Sequence, residues 1–286
     1  MIIREAFLKA EEVLREAGVM SAGFDTCALL SEILHEPLSH LPARMRCELS
    51  SQQANEFQTL IQRRATREPL AYILGWTEFM GLRFTCEPGV FIPRPDTEIL
   101  VETVLRQNPV RSGSVSIVEI CAGTGCIGIS LAHYLPQAQV YMTDLNAVAL
   151  ALVQKNGAIN NVADRIHTLH GANVEPLVQV KINQTAQILV ANPPYIPTSD
   201  IKNLEPEVAC SEPVLALDGG PDGLDFYREV LPQIVNWPNL QLVAFEFGIG
   251  QENQVADLMK NWLTGWQVDV CPDLSGLPRV AVAERV

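Results

Sequence analysis

The sequence lacks long apolar runs. None approaches the ~18 uninterrupted apolar residues of a membrane-spanning helix, so we expect no membrane partner. Residues 1–18 are charged and amphipathic and lack the apolar core of a signal peptide. Charged residues make up only 19% of the chain, but the hydrophobic fraction of 48% is ample for a buried core and excludes a disordered chain. We therefore expect a folded cytoplasmic protein.

Patterns typical of disulfide frameworks and metal sites are missing too. The seven cysteines are odd in number and irregularly spaced, and no CxxC motif occurs. The five histidines form neither an HxH nor an HExxH motif. We therefore expect neither a disulfide framework nor a metal site.

Basic charge is scarce, and the net charge of −13 is unevenly distributed. Residues 1–85 carry 9 basic and 11 acidic side chains, whereas the remainder carries 11 basic and 22 acidic side chains. A segment with this excess of acidic side chains is a poor electrostatic partner for nucleic-acid phosphates. We therefore expect no direct contact with nucleic acid.

The first part of the chain has two different patterns. Residues 1–75 repeat apolar side chains at helical spacing, which predicts a small N-terminal helical bundle. Asp25 can cap the second helix, and Ser50 with Gln53 suits a capping box for the next one. Residues 76–92 alternate aromatic and polar side chains between turn signals, which predicts a β-hairpin linker.

Residues 93–286 form the third predicted segment, a catalytic domain. Strand-like and helix-like segments alternate from residue 114 onward, which predicts a parallel sheet covered by helices on both faces. The last two strands have no helix between them, so we expect them to pair antiparallel. A Rossmann-like α/β sheet that ends in this way is typical of class I S-adenosylmethionine-dependent methyltransferases.

Two candidate binding elements follow the first two strands of this segment. Gly123 and Gly125 lie in a turn after the first strand, where glycine lets the backbone approach a ligand closely. In an open α/β sheet, ligands bind outside the carboxyl ends of the strands. Asp144 ends the second strand, where a carboxylate can accept hydrogen bonds from both hydroxyls of a ribose. Capping of the following helix is the alternative role for Asp144.

The sequence Asn-Pro-Pro-Tyr at 192–195 is the most specific local motif. It ends the buried run ILVA, and two prolines cannot continue a central strand. The chain must therefore turn outward at the carboxyl edge of the sheet, where the turn at 121–125 and Asp144 are also expected. A purely structural turn is the alternative.

The motif suits a planar nitrogen as methyl acceptor. The lone pair of such a nitrogen is delocalised, so it needs orientation more than it needs a strong base. The Asn192 side-chain oxygen and the Pro193 carbonyl can accept its two N–H bonds. Tyr195 can stack on the planar group. Catalysis then consists mainly of alignment with the methyl donor in an ordered polar site.

These residues stand in a wider pattern that covers nearly the whole chain. It includes residues 68–75, 92–98 and 212–225 beside the motif at 192–195. With them, the sequence resembles the release-factor glutamine N5-methyltransferases, the PrmC/HemK family. The resemblance implies methyl transfer from S-adenosylmethionine to the glutamine side-chain amide nitrogen in the Gly-Gly-Gln motif of class 1 peptide chain release factors. S-adenosylhomocysteine is the implied product.

The resemblance also implies roles for individual residues. The implied substrate contacts, of which the first three are catalytic, are Asn192, Pro193, Tyr195, Pro194, Phe91 and Arg94. The implied cofactor contacts are Glu119, Cys121, Ala122, Gly123, Thr124, Gly125, Asp144, Asn173 and Asn192. The helical bundle would dock the release factor.

Four positions depart from the family pattern. Glu119 replaces the usual Asp, Cys121 replaces a glycine, Ala172 replaces an acid and Gln187 replaces a common Asp. If position 121 requires a positive φ, cysteine costs about 1–2 kcal/mol there. These changes fall on the cofactor side, so we expect them to affect cofactor affinity more than the class of reaction.

Other functions match part of the pattern. A glutamine methyltransferase for a large-subunit ribosomal protein has the same acceptor motif. An adenine-N6 methyltransferase for DNA or RNA shares Asn-Pro-Pro-Tyr, but it predicts a basic binding face. A binding module that keeps the fold without activity is a non-enzymatic alternative.

Overall fold

The computed structural model describes residues 1–109, 113–273 and 275–286. The chain divides into two compact units. Unit 1 comprises Met1–Gly75 and Glu205–Ser211, and unit 2 comprises Trp76–Leu204 and Glu212–Val286. The short second segment of unit 1 has no counterpart in the sequence-based division.

The α-helices and β-strands of the described residues have the following bounds. The α-helices are α1 (Ile3–Glu16), α2 (Ala22–Leu34), α3 (Leu41–Arg44), α4 (Ser51–Ala65), α5 (Leu70–Leu74), α6 (Glu98–Gln107), α7 (Cys126–Tyr134), α8 (Ala147–Ile159), α9 (Glu175–Gln179), α10 (Pro206–Ala209), α11 (Asp225–Ile234) and α12 (Glu252–Trp262). The strands are β1 (Trp76–Phe79), β2 (Leu82–Thr85), β3 (Val115–Ile120), β4 (Ala138–Asp144), β5 (Ile166–His170), β6 (Ile188–Ala191), β7 (Leu242–Glu246), β8 (Trp266–Pro272) and β9 (Pro278–Arg285). None of these helices combines the length and the apolar character that crossing a bilayer requires.

Unit 1 is built from amphipathic helices around an apolar core. Leu14, Leu29 and Phe57, from α1, α2 and α4, are buried together in it. The predicted capping box of α4 is present, since Ser50 and Gln53 each bond to the other's backbone N–H.

The prediction that Asp25 caps the second helix is wrong. Asp25 lies inside α2 rather than at its start, and its buried carboxylate accepts a hydrogen bond of 2.6 Å from Arg64 Nε. Arg64 is also buried, and its Nη2 donates to Glu207 at 2.8 Å. Glu207 lies in the second segment of unit 1, so buried ionic bonds attach that segment to α2 and α4.

Unit 2 is an α/β sheet of the predicted class. Among the described residues, seven strands pair in the order β5-β4-β3-β6-β7-β9-β8. The strands from β5 to β7 are parallel, and β9 is antiparallel to both β7 and β8. The prediction of an antiparallel final pair is therefore confirmed. The predicted hairpin is present as β1 and β2.

The sheet is buried on both faces. Successive residues of β3 point to opposite faces, so Ile117 belongs to one apolar cluster and Val118 to the other. The strand register then fixes where the site lies. Ile120 pairs with Thr143 on one side and with Ala191 on the other, so the loops after β3, β4 and β6 begin at the same edge.

Candidate active site at the carboxyl edge of the sheet

A cavity of about 690 Å³ opens at this edge of unit 2. Its size lies in the range of small-molecule sites, roughly 300–1,000 Å³. It brings together most of the residues singled out from the sequence, namely Phe91, Cys121, Ala122, Gly123, Thr124, Asp144, Asn173, Asn192, Pro193, Pro194 and Tyr195. Glu119, Gly125 and Arg94 are not among its lining residues.

The turn after β3 is tight. Its φ angles are positive at Cys121 (60°), Gly123 (55°) and Gly125 (80°). A Cβ placed on Gly123 would meet no atom within 4 Å, so the backbone there faces open space. A Cβ on Gly125 would lie 3.0 Å from the Ile129 side chain, so this glycine serves packing under the turn. Cys121 occupies a left-handed conformation that costs an L side chain about 1–2 kcal/mol.

Asp144 ties this turn to the end of β4. Its Oδ2 accepts the Gly123 N–H and its Oδ1 accepts the Asn146 N–H, both at 2.8 Å. Burial raises the pKa of Asp144, and the bonds from these N–H groups oppose that rise. The cap of α8 is Asn146, whose side chain accepts the Val148 N–H. Helix capping, the alternative role for Asp144, therefore belongs to Asn146.

Glu119 lies below the turn rather than in the cavity. It is fully buried, and its Oε2 accepts the Gly128 N–H of α7 at 2.8 Å. Its Oε1 has no hydrogen-bond partner among the described residues. Burial raises the pKa of Glu119 well above its ordinary value, and the nearby Asp144 charge adds to the rise. Glu119 therefore supports the first turn of α7.

Asn192 follows the last residue of β6, and its amide has a defined orientation. The Nδ2 group donates to Thr97 Oγ1 at 3.0 Å. That bond commits the nitrogen side of the amide and leaves Oδ1 as a hydrogen-bond acceptor in a residue that lines the cavity. Pro193, which has no N–H, contributes only an acceptor from its backbone. Sequence reasoning missed the contact of Thr97 with Asn192.

Tyr195 is held by side chains from later in the chain. Its hydroxyl donates to Glu246 Oε1 at 3.2 Å, and its backbone oxygen accepts from Gln251 Nε2 at 2.9 Å. Burial raises the pKa of Tyr195, and the Glu246 charge raises it further. Glu246 is itself 1% exposed. Sequence reasoning missed Glu246, although a carboxylate at the end of the apolar strand β7 was a signal.

Arg94 contributes indirectly. Its guanidinium pairs with the buried carboxylate of Glu212 and lies 5.0 Å from the centroid of the Phe91 ring. Glu212 also accepts the Ile92 N–H. Arg94 and Glu212 therefore fix the segment that carries Phe91, which does line the cavity.

Asn173 marks the opposite part of the cavity. It has a φ of 46°, and its Nδ2 donates to Glu229 Oε2 at 2.9 Å. Its backbone oxygen accepts the Thr143 hydroxyl. Both Asn173 and Glu229 line the cavity, so α11 supplies a carboxylate beside Asn173.

Comparisons with known proteins cover both units. Residues 5–75 match the model of the PrmC N-terminal domain, and residues 81–208 match that of the methyltransferase small domain. The chain is 40% identical to a release factor glutamine methyltransferase of Moorella thermoacetica, over 100% of this chain and 99% of that protein. It is 39% identical to one of Geobacter sulfurreducens, over 93% and 91%.

A solved structure supports the fold. The structure of a human methyltransferase 10 domain containing protein superimposes with a TM-score of 0.53 at 15% identity. The match covers 72% of this chain and 89% of that one. At this identity the likeness concerns the arrangement of helices and strands alone.

Proposed function

Because the chain belongs to the release factor glutamine methyltransferase family, we propose that it methylates the glutamine side chain of the Gly-Gly-Gln motif in class 1 release factors. The transferred group comes from S-adenosylmethionine, and it is attached to the amide nitrogen, N5. The observation that carries the proposal is the bond from Asn192 Nδ2 to Thr97 Oγ1, because it commits the amide nitrogen and leaves the carbonyl oxygen of this cavity-lining residue to accept from a substrate amide.

The acceptor end of the cavity suits a primary amide. Its nitrogen has two N–H bonds, and Asn192 Oδ1 and the Pro193 carbonyl are two acceptors in adjacent residues. Holding both bonds orients the nitrogen lone pair toward the incoming carbon. The Tyr195 ring supplies an apolar face for the planar group. The amide proton becomes acidic only as the new N–C bond forms, so it leaves to solvent without a dedicated base.

The other end of the cavity suits the cofactor. The backbone at Gly123 borders open space, the Asp144 carboxylate ends β4, and Asn173 with Glu229 offers polar groups for a heterocycle. We propose that these residues, with Cys121, Ala122 and Thr124, hold S-adenosylmethionine. When bound, it supplies an electrophilic methyl group on a sulfonium centre. Glu119 and Gly125 shape the turn from below.

The family assignment also supports a docking role for unit 1. Its helices match the PrmC N-terminal domain, and we propose that they bind the release factor. Since release factors act in translation, we assign the reaction to the cytoplasm.

A labelled-methyl transfer assay tests the proposal. Purified protein and S-adenosylmethionine are offered an unmodified release factor, a large-subunit ribosomal protein and duplex DNA in parallel, and mass spectrometry locates the label. We expect a methyl group on the Gly-Gly-Gln glutamine and on no other residue. Asn192→Ala is the control, because it removes one acceptor while leaving Asp144 and the turn after β3 intact. Label on DNA or on the ribosomal protein contradicts the proposal.

A further inference from the structure

Glu246 is a buried carboxylate to which the proposed reaction gives no role. It is the last residue of β7. Ala191 of β6 pairs with Phe245 of β7, so Asn192 and Glu246 each lie one residue beyond the same paired position. The strand register therefore places the carboxylate next to the acceptor motif.

Two hydroxyl groups connect Glu246 to that motif. The Tyr195 hydroxyl donates to Glu246 Oε1 at 3.2 Å. The Thr97 side chain lowers the pKa of Glu246, as a neighbouring donor does, and its oxygen accepts from Asn192 Nδ2 at 3.0 Å. A threonine hydroxyl has a single hydrogen and its oxygen already accepts from Asn192, so we assign the proton of Thr97 to the neighbouring carboxylate of Glu246.

We propose that Glu246 is a positioning residue for the methyl acceptor, because it sets the orientation of the Asn192 amide through Thr97 and holds Tyr195 directly. This inference rests on the proposed function. When residue 246 accepts the Thr97 proton, the Thr97 O–H bond points away from Asn192. The Thr97 oxygen can then only accept a hydrogen bond, and only the NH2 group of the Asn192 amide can donate one. Without one, the hydroxyl can turn and donate to Asn192 Oδ1. The flipped amide would then present N–H groups to the N–H groups of the substrate.

The surroundings of Glu246 make this role dependent on its ionisation. Burial raises the pKa of Glu246 to about 7, against the opposing effect of bonds from Thr97 and Tyr195. Its Oε2 has no hydrogen-bond partner among the described residues. Four other titratable groups interact electrostatically with Glu246, namely Arg279, Asp96, Tyr227 and Cys126.

The ionisation state of Glu246 sets the direction of the expected pH dependence. Above pH about 7, the carboxylate accepts both hydroxyl protons, and the Asn192 amide is oriented for the substrate. Below that pH, Glu246 is protonated, and the preference of the Asn192 amide for this orientation weakens. The turnover number of the enzyme should therefore fall on the acid side with a midpoint near 7, and affinity for S-adenosylmethionine should change little.

Four single variants and one double variant test the inference. Glu246→Gln keeps an acceptor oxygen but removes the ionisation, so it should flatten the acid limb. Glu246→Leu and Thr97→Val each break the connection to Asn192, and each should lower kcat about tenfold or more, within the range of a lost preorganised contact. The double variant of Glu246→Leu with Thr97→Val should be no worse than the poorer single variant, because Glu246→Leu already breaks the connection in which Thr97 acts. Asp96→Asn removes a neighbouring negative charge and should move the acid limb to lower pH.

Nuclear magnetic resonance gives a readout that needs no turnover. The Asn192 side-chain amide signal, assigned by its loss in Asn192→Ala, should titrate with a midpoint near 7 in the wild type and stay constant in Glu246→Gln. Thermal unfolding of each variant separates lost positioning from lost folding. A titrating amide signal in a protein that methylates no release factor refutes the proposed function alone. An Asn192 signal indifferent to pH, or wild-type kcat in folded Thr97→Val and Glu246→Leu, overturns the inference.

Discussion

At the scale of single residues, the acceptor motif and the turn after β3 differ in backbone strain. Asn192 and Pro193 offer oxygen acceptors whose directions are fixed by backbone and by one hydrogen bond. Cys121, in contrast, adopts a left-handed conformation that glycine reaches without cost. Substitutions at the two sites therefore separate chemistry from strain.

Asn192→Ala removes one of the two acceptors proposed for the substrate amide. We expect kcat to fall about a hundredfold, the scale of one preorganised donor or acceptor. Binding of S-adenosylmethionine should be unchanged, since Asp144 and the turn after β3 remain. Single-turnover kinetics and calorimetry measure the two quantities, and near-full activity would refute the role of this side chain.

Cys121→Gly relieves the strain in the turn. The free energy of unfolding should rise by about 1 kcal/mol, because glycine reaches a φ of 60° freely, although it also loosens the unfolded chain. Calorimetry should show tighter binding of S-adenosylmethionine if the cysteine narrows the turn. Ala122→Gly is the matched control: it lies next in the chain outside the left-handed region, and it should lower the free energy of unfolding.

At the scale of elements, helices α7 and α8 each contain a glycine, and the space around the two glycines differs. A Cβ on Gly128 of α7 would lie 2.4 Å from Glu119 Oε2 and 2.7 Å from the Met142 side chain. A Cβ on Gly157 of α8 would meet its nearest atom at 3.6 Å, an ordinary contact. Close packing of α7 on the sheet therefore requires the glycine, whereas α8 does not require one.

Alanine substitutions test this contrast. Gly128→Ala should lower the free energy of unfolding by about 1–3 kcal/mol, the usual cost of overpacking a core. Gly157→Ala should raise it by up to about 1 kcal/mol, because alanine favours a helix interior. Urea denaturation of both variants measures the difference. Equal effects would mean that α7 can shift away from Glu119.

At the scale of the whole molecule, the chain enters unit 1 twice. Residues 205–211 leave unit 2, bond through Glu207 to Arg64 and Arg67, and return to unit 2 at Glu212. The Asp25–Arg64–Glu207 network therefore joins side chains from both segments of unit 1. By contrast, every residue that lines the cavity belongs to unit 2.

Removal of residues 1–75 tests whether the cavity of unit 2 is independent of unit 1. We expect the remaining chain to bind S-adenosylmethionine with unchanged affinity in calorimetry, because the cavity keeps all its lining residues. Residues 205–211 lose their ionic partners, so limited proteolysis should cut there faster than in the full chain. A truncated chain that resists cleavage at this segment would contradict the importance of the network.

Local patterns in the sequence determined much of the fold and of the site. Alternating strand and helix signals specify a parallel sheet, and the missing last helix specifies an antiparallel end, because each pattern has few packing solutions. Glycines and prolines after buried strands mark where the chain leaves the sheet. Since parallel strands end at one edge, the turn at 121–125, Asp144 and Asn192 were predicted to lie together, and they do.

Only the tertiary structure decided which partner each polar group has. Asp25 pairs with Arg64, Asn192 bonds to Thr97 and Tyr195 bonds to Glu246, across 39, 95 and 51 residues of chain. Hydropathy and spacing describe neighbours in sequence, whereas these bonds depend on how strands and helices are placed in space. Likewise, the family resemblance implied a cofactor contact for Glu119, but the pleat of β3 places its side chain beneath the turn.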